Sequence, residues 1–292
     1  MMRESQEIID RLNLAGRKLS KGHQKIADYI SAHYEKAVFM TAVSLGEAVG
    51  VSESTVVRFA SALGYEGYPE LQMALQELVR HHLTAKQRFE MSADIEWQHV
   101  LNTVLSADMR NIRHTIEQID EQSFYRAVQC ILGAKTLYIV GMRAAAPLAQ
   151  FFGYYLNFIF DDVRILANGN GDVFEGISRI DKQDVLVGIS FPRYSSSTSK
   201  ALDFASKRHA KIISITDSHS SPLVAYSDLV LLARSEMVCV VDSLVAPLSL
   251  INALIVAVAL KRKDETVRRF IELEHIWDHN SVYEKVDDES KK

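Results

Sequence analysis

Two loops in the second half of the chain carry residue types that bind anions. One follows the apolar run TLYIV and contains Arg143, and the other follows VLVGIS and contains Arg193 within a run of hydroxyl residues. A guanidinium beside hydroxyls and backbone N–H groups at a helix start suits a phosphate or carboxylate. The candidate ligand-binding residues are Gly141, Met142, Arg143, Ala144, Ser190, Arg193, Tyr194, Ser195, Ser196, Ser197 and Thr198. One alternative stays open, since many strand-to-helix turns hold a glycine and serines also cap helices.

The elements around these loops alternate between strands and helices. Short β-branched runs predict five strands, at 136–140, 163–166, 184–190, 211–216 and 228–233. Helical periods occur at 144–160, 196–209 and 244–261. This alternation predicts an α/β fold with a parallel sheet covered by helices on both faces. The two arginine loops, and a third loop at 216–218, then follow the carboxyl ends of strands, where such sheets bind ligands.

Before residue 80 every recognisable period is helical. The stretch 41–65 is predicted to form two short helices joined by a tight turn at Gly50, with a capping box from Ser44 to Glu47 opening the first. The second helix buries one apolar stripe and turns polar groups outward, as a helix in the DNA major groove does. The candidate DNA-binding residues are Ser52, Ser54, Thr55, Arg58 and Ser61 on this helix, and Lys18 and Lys21 upstream as contacts to the DNA backbone.

The charge balance of this half does not by itself favour nucleic acid. Residues 1–85 hold nine Lys or Arg against ten Asp or Glu, a net charge of −1, and the whole chain has a net charge of −4. A generic helical bundle with a solvated polar face is therefore the alternative to a DNA-binding domain. Any contact with DNA must come from a local patch.

No motif in the sequence predicts catalysis. Proton abstraction needs a base beside the reacting carbon, and the two arginine loops contain neither glutamate nor histidine. Glu175 and Glu236 are the nearest candidates along the chain, and nothing places them at the loops. The histidines show no metal-ligand spacing, so we expect neither a metal nor a cofactor.

Length and composition are those of a soluble globular chain of about two domains. The 292 residues are 48% hydrophobic and 24% charged, which excludes a largely disordered chain. The two cysteines, Cys130 and Cys239, lie far apart in apolar segments, so we expect buried thiols in a reducing, cytoplasmic setting. The charged N-terminal segment has no signal-peptide pattern.

The apolar run 243–260 requires a separate test for a membrane helix, because about 20 such residues span a bilayer. Pro247, Ser249 and Asn252 interrupt the run, and no second span accompanies it. We therefore predict a buried core or interface helix and no membrane partner, with a membrane segment as the alternative.

The two halves together resemble the RpiR/MurR family of bacterial transcriptional regulators. The resemblance rests on LSKGHQKIADYI and LGEAVGVSESTVVRFASALGYEGYPEL, and then on YIVGMRAAAPLAQFF, VLVGISFPRYSSSTSKALDFA and KIISITDSHSSPLVAYSDLVLL. It implies a helix-turn-helix bundle followed by a sugar isomerase (SIS) domain with a flavodoxin-like five-stranded parallel sheet, which senses a phosphorylated sugar or related metabolite and dimerises. The implied domains are 1–82 for DNA binding, 83–100 as a linker, 101–280 for ligand sensing, and 281–292 as a polar tail.

Both arginine loops depart from the family's usual patterns. The first loop of the family commonly reads GxGxS, and here Arg143 stands at the second glycine and Ala145 at the serine. The second commonly reads SxSGxT, and here Pro192 and Arg193 replace serine and glycine while Ser195 stands for threonine. Lost hydroxyls and two gained guanidinium groups predict a different ligand, which we expect to be multiply charged or to carry a carboxylate.

The sequence thus predicts a non-enzymatic, cytoplasmic regulator that binds double-stranded operator DNA and a small anionic metabolite. The metabolite is expected to be a phosphosugar or a related carbohydrate derivative, and the assembly a homodimer or a higher homo-oligomer. Two alternatives remain: a phosphosugar isomerase with an accessory helical domain, and a protein-binding adaptor that does not bind DNA.

Overall fold

The computed structural model describes residues 20–38, 40–79, 84–90, 95–167 and 172–284. The helices of these residues are α1 (Lys21–Ala32), α2 (Tyr34–Ala37), α3 (Ala42–Val49), α4 (Glu53–Ala62), α5 (Tyr68–Val79), α6 (Ala85–Glu90), α7 (Val100–Gln118), α8 (Glu121–Leu132), α9 (Ala146–Leu156), α10 (Val173–Gly176), α11 (Ser196–Lys207), α12 (Val245–Lys261) and α13 (Lys263–His279). The strands are β1 (Leu137–Gly141), β2 (Val163–Leu166), β3 (Val185–Ile189), β4 (Lys211–Thr216) and β5 (Leu229–Leu232). The predicted Lys18 contact and residues 285–292 of the predicted tail lie outside the described residues.

Local sequence signals set the helix boundaries of the N-terminal region. The Ser20 side chain accepts a hydrogen bond from the N–H of His23 and starts α1. Thr41, rather than the predicted Ser44, caps α3, because its hydroxyl accepts from the N–H of Ser44 at 3.1 Å. Helix α3 ends at Gly50, which has a φ of 74° and turns the chain toward α4.

These helices enclose one apolar core. Ile26, Leu45, Val56, Phe59 and Leu71 are all fully buried, and they come from α1, α3, α4 and α5. The predicted apolar stripe of α4 therefore faces inward, and its opposite face is left for solvent. The helix-turn-helix interpretation depends on this division of α4.

The second region is built on a five-stranded sheet in which all strand pairs are parallel. The strand order is β2-β1-β3-β4-β5, with Gly141 opposite Ile189 at the ends of β1 and β3. Helices cover both faces, and separate apolar clusters fill the space on each side. The predicted fold class, a helical region followed by a flavodoxin-like parallel sheet, is confirmed.

The predicted helix 244–261 is α12, and its residues Leu250, Ile251 and Leu254 are buried in the core against the sheet. The following helix, α13, was not predicted, because charged residues interrupt its apolar positions. Within the described ranges, no single helix is both long and apolar enough to span a membrane. Only the pair α12 and α13 passes that test, with a bend of 100° between the two helices. Cys130 and Cys239 are half-buried rather than buried.

The chain between β5 and α12, residues 233–244, belongs to the sheet region and also contacts the helical region, and we call it the bridging loop. It is fastened to α7 by reciprocal bonds between the Asn111 side chain and the backbone of Glu236, at 3.0 and 3.1 Å. The N–H of Arg234 donates to the hydroxyl of Thr115 at 2.9 Å. From this loop Met237 packs against the apolar core of the N-terminal helices. The sheet region therefore contacts the helical region directly.

The left-handed conformation of Gly50 generates a prediction for stability. An added Cβ would meet no heavy atom within 4 Å, so the cost of Gly50→Ala should come from the backbone conformation alone, about 1 kcal/mol. Gly50→Asn is the matched control, because asparagine tolerates this conformation better. Urea unfolding followed by circular dichroism should show a larger loss for alanine. Equal losses in both variants would contradict the explanation.

Candidate functional site

The outer face of α4 presents the residues predicted to bind DNA. Ser52, Ser54, Arg58 and Ser61 are exposed, and Thr55 is half-buried. The Ser52 hydroxyl lies 3.0 Å from that of Ser54 and 2.8 Å from that of Thr55. The structure thus brings the predicted hydroxyls together at the N-terminus of one helix.

Arg58 lies along this hydroxyl cluster. Its Nε donates to the carbonyl of Ser54 at 3.1 Å, and its terminal nitrogen donates to the Ser54 hydroxyl at 3.3 Å. Both bonds are exposed and local to the helix. Such bonds are readily exchanged for other partners, because an exposed hydrogen bond contributes little net free energy.

The start of α1 lies beside the start of α4. A Cβ on Gly22 would lie 3.3 Å from the Thr55 methyl group, which shows how closely the two helices approach. Lys21, the exposed neighbour of Gly22, is therefore next to the α4 hydroxyls. An exposed cation of α1 is thus adjacent in the chain to the point where α1 contacts α4.

The second candidate site is a crevice at the carboxyl ends of β1 and β3. The two loops that follow these strands face each other there, as the strand order requires. An outer part of about 460 Å³ is lined by Met142, Arg143, Arg193, Tyr194, Ser195, Ser196 and Ser197. An inner part of about 230 Å³ adds Ala144 and Ser190 from the loops, together with Arg88, Val240, Asp242 and Leu244 from elsewhere in the chain.

The two arginines of the crevice share an unusual backbone conformation. Arg143 has a φ of 57° and Arg193 a φ of 65°, both in the left-handed region that favours glycine. Each conformation costs a residue with a side chain roughly 1–2 kcal/mol. These are the two positions at which the family patterns have glycine, so the loops keep a glycine-type shape and carry a guanidinium on it.

Hydrogen bonds inside the second loop fix its shape. The Ser190 hydroxyl accepts from the N–H of Ser195 at 3.1 Å, and the Thr216 hydroxyl donates to the Ser190 carbonyl at 2.8 Å. The Ser195 hydroxyl caps α11 by accepting from the N–H of Thr198. Ser190 and Ser195 thus order the loop, while Ser196 and Ser197 are exposed at the start of α11, where backbone N–H groups favour an anion.

Two of the predicted ligand-binding residues lie beneath the crevice rather than on its wall. Thr198 is fully buried. Gly141 is also buried, and a Cβ there would lie 2.8 Å from the Ala145 carbonyl oxygen, so the turn leaves no room for a side chain. The other nine predicted residues line one or both parts of the crevice.

Tyr194 is held by a buried carboxylate of the third predicted loop. Its hydroxyl donates to Oδ1 of Asp217 at 2.8 Å, and Asp217 is buried. Burial and the adjacent Asp217 charge raise the pKa of Tyr194 well above its usual range. Asp217 therefore acts as a positioning residue for a ring that lines the crevice.

The sequence analysis missed Arg88 and Asp242. Their side chains form an ion pair at 2.8 Å, and both line the inner part of the crevice. They are 154 residues apart, and no local pattern links them. Glu175 and Glu236, the carboxylates considered for catalysis, are not among the lining residues. Among the described residues, no group of three or more His, Cys, Asp or Glu side chains could hold a metal ion.

Comparison with known proteins gives matches for both regions. Residues 6–81 match the model of the helix-turn-helix domain of the rpiR family, and residues 131–257 match the SIS domain model. An uncharacterized HTH-type transcriptional regulator of Clostridium perfringens is 23% identical over 223 residues, which are 76% of this chain and 79% of that protein.

Two solved structures extend the match to the fold. The sugar isomerase domain of the RpiR transcription factor from Sphaerobacter thermophilus is 26% identical, with a TM-score of 0.58, over 61% of this chain and 99% of that one. The NanR protein of Vibrio vulnificus, complexed with ManNAc-6P, is 22% identical, with a TM-score of 0.57, over 91% of this chain and 97% of that one.

The Tyr194–Asp217 bond generates a pH-dependent prediction. Tyr194→Phe removes the donor to a buried carboxylate and should lower the free energy of unfolding at pH 7 by about 1–3 kcal/mol. Because the pKa of Tyr194 is raised on folding, its stabilisation is present below pH 10, the usual tyrosine value, and is lost as the pH rises above it. The difference from wild type should therefore shrink between pH 10 and 11.

Urea unfolding across this pH range measures both effects. Tyr154→Phe is the control, because Tyr154 is exposed, and it should match wild type at every pH. A Tyr194→Phe variant as stable as wild type at pH 7 would contradict the role assigned to the bond.

Proposed function

Since the chain belongs to the RpiR family, with its helix-turn-helix domain at residues 6–81 and a SIS domain at residues 131–257, we propose that it is a cytoplasmic regulator that binds operator DNA through α4 and an anionic metabolite in the crevice. The domain boundaries proposed are 1–82, a linker over 83–100, 101–280 and a tail over 281–292. The metabolite is proposed to be a phosphosugar or a related carbohydrate derivative.

The observation that carries the DNA-binding part is the division of α4 into two faces. Phe59 and Val56 hold the helix in the core, while Arg58 and the serines remain exposed. Short hydroxyl side chains around one long cation can approach base edges in a major groove, and Lys21 can contact the backbone. A generic bundle would not require a cluster of hydroxyls at the N-terminus of its exposed helix.

The charge and shape of the crevice support an anionic ligand. Arg143 and Arg193 are exposed on opposite loops, and the start of α11 lies beside them. Guanidinium groups and helix N-terminal N–H groups are strong partners for phosphate. The solved relative from Vibrio vulnificus is complexed with ManNAc-6P, which is consistent with a sugar phosphate in a crevice of this fold.

An exposed apolar stripe supports the proposed homodimer. Leu101, Leu105, Met109 and Ile116 of α7 are all exposed, and their spacing places them along one side of the helix. A row of exposed apolar side chains on one side of a helix is typical of a protein interface. A dimer would also present two copies of α4 to the half-sites of a palindromic operator.

The alternative of an isomerase has less support from the crevice. Asp242 is the acidic side chain among its lining residues in the described ranges, and it is ion-paired with Arg88 at 2.8 Å. The carboxylate therefore has a structural partner, and neither Glu175 nor Glu236 lines the crevice. This arrangement favours binding over proton abstraction.

Arg58→Ala tests the proposed DNA contact. The operator sequence for this test is selected from random DNA with the wild-type protein. The variant should bind it at least tenfold more weakly than wild type, because Arg58 is the cation of the α4 surface. Its thermal unfolding should be unchanged, since the Arg58 bonds are exposed and local.

Lys36→Ala, on α2, is the matched control, because it removes an equally exposed cation elsewhere in the same domain. Fluorescence anisotropy measures the affinities. If both variants lost affinity equally, or if Arg58→Ala kept wild-type affinity and sequence preference, α4 would not be the recognition helix.

Arg193→Ala tests the ligand site. In a thermal-shift panel of sugar phosphates and the corresponding unphosphorylated sugars, wild type should be stabilised by phosphorylated members, and Arg193→Ala should lose that shift. Operator binding without ligand should be retained, because Arg193 lies on the sheet domain. Arg179→Ala, an exposed arginine away from the crevice, is the control. A preference of wild type for the neutral sugars would contradict an anionic effector.

A further inference from the structure

We propose that Asp242 is a ligand-contacting residue that accepts hydrogen bonds from the end of the effector opposite its anionic group, with Arg88 as the residue that positions it. The pair selects a ligand with an anion at one end and hydroxyl or amino donors at the other. This inference rests on the proposed function of the crevice and specifies which ligands the crevice accepts.

The geometry of the pair gives its two members different roles. The Arg88 side chain is 2% exposed, whereas that of Asp242 is 15% exposed, and Asp242 Oδ1 lies 2.8 Å from an Arg88 terminal nitrogen. The guanidinium thus lies behind the carboxylate. A ligand that enters the inner part of the crevice meets the carboxylate first.

The position of Asp242 is fixed from both sides. Arg88 holds it from α6, and the neighbouring Ser243 hydroxyl donates to Asp108 on α7 at 2.6 Å. Removing one member of a buried ion pair is costly, because the other charge is left in a poorly solvated place. Asp242 is therefore a rigid, charged acceptor on the wall of the crevice.

The two parts of the crevice differ in their acidic lining, because Asp242 lines the inner part and not the outer part. Arg143 and Arg193 line both parts of the crevice, and the outer part holds no acidic side chain among its lining residues in the described ranges. At the inner end the Arg88 charge is already paired with Asp242. A phosphate is favoured at the outer end, and a second anion near Asp242 would be repelled.

This asymmetry narrows the ligand class. The sequence suggested a multiply charged or carboxylate-bearing metabolite, and the Asp242 carboxylate disfavours a carboxylate at the inner end. Hydroxyl or ammonium groups can instead donate to Asp242. An aldose or amino-sugar phosphate fits this pattern, and a phosphorylated sugar acid does not.

The pair also connects the ligand to the DNA-binding region. Arg88 belongs to α6, within the segment that joins the two domains, and Asp242 belongs to the bridging loop, whose Met237 packs on the helical core. A ligand that binds Asp242 adds a contact to the bridging loop, which touches both regions. Differential binding of this kind is what shifts a regulator between two states.

The test compares matched pairs of ligands on the full-length protein by isothermal titration calorimetry. The probes are hexose 6-phosphates and hexosamine 6-phosphates, each beside its aldonic acid 6-phosphate. Wild type should bind the aldose at least tenfold more tightly than the acid. In Asp242→Asn, which keeps the side-chain shape, this preference should fall below threefold.

Two further variants separate the effect of the Asp242 charge from a general loosening of the fold. Arg88→Met with Asp242→Leu removes both charges together, which buried pairs often tolerate, and should also abolish the preference. Arg88→Lys keeps a cation behind the carboxylate and should keep most of the preference. The measured quantity is a ratio of two affinities, which a general loosening of the fold would leave unchanged.

Asp162→Asn is the control, because Asp162 forms a more exposed ion pair with Arg164 outside the crevice, and it should leave the ratio unchanged. Equal affinity of wild type for both members of each pair, a preference for the acid, or an unchanged ratio in Asp242→Asn would overturn the inference and leave the proposed function standing. Failure of wild type to bind any probe, with operator binding intact, would instead overturn the proposed ligand class, and the inference with it.

Discussion

The parallel strand order β2-β1-β3-β4-β5 determines where this molecule can bind a ligand. Chain connections leave β1 and β3 toward opposite sides of the sheet, so their carboxyl ends leave a crevice between neighbouring strands. The pairing of Gly141 with Ile189 sets the two following loops at the same height. Arg143 and Arg193 face one crevice for this reason, although 50 residues separate them in the sequence.

A second constraint is the bridging loop, which keeps the two domains in contact. Asn111 satisfies both backbone groups of Glu236, and the Thr115 hydroxyl accepts from the N–H of Arg234, two residues earlier in the same loop. Polar backbone groups in a partly buried loop need partners, and α7 supplies them for Arg234 and Glu236. The loop therefore has one favoured path across the domain boundary, and that path passes the inner end of the crevice. The loop is therefore a continuous physical contact between the crevice and the helical region.

Local patterns predicted most of the architecture. The five strands were found because short β-branched runs are typical of buried parallel strands, and the family assignment is confirmed. The predicted start of α3 was wrong by three residues, because Thr41 offers the same kind of cap as Ser44 and lies earlier in the chain. The roles of the α4 and crevice residues stay predictions, although the structure gathers most of them at two surfaces.

What the sequence could not provide was contact between distant parts of the chain. Nothing local to Arg88 distinguishes it from other arginines of a charged helix, and only the folded chain pairs it with Asp242. The left-handed backbone at Arg143 and Arg193 could be predicted in principle, because both residues stand where the family patterns have glycine. A residue with a side chain at a position where the family has glycine is the signal that indicates a left-handed backbone there.

The left-handed conformation of the two arginines has a consequence for the ligand preference of the proposed crevice site. Since the loops already hold a shape suited to glycine, any residue placed there inherits the same backbone and only the projecting group differs. Replacing Arg143 or Arg193 by another residue would then alter the preference for a ligand without altering the loop backbone. In the proposed ligand site, the side chains that select the ligand can therefore be changed separately from the backbone that carries them.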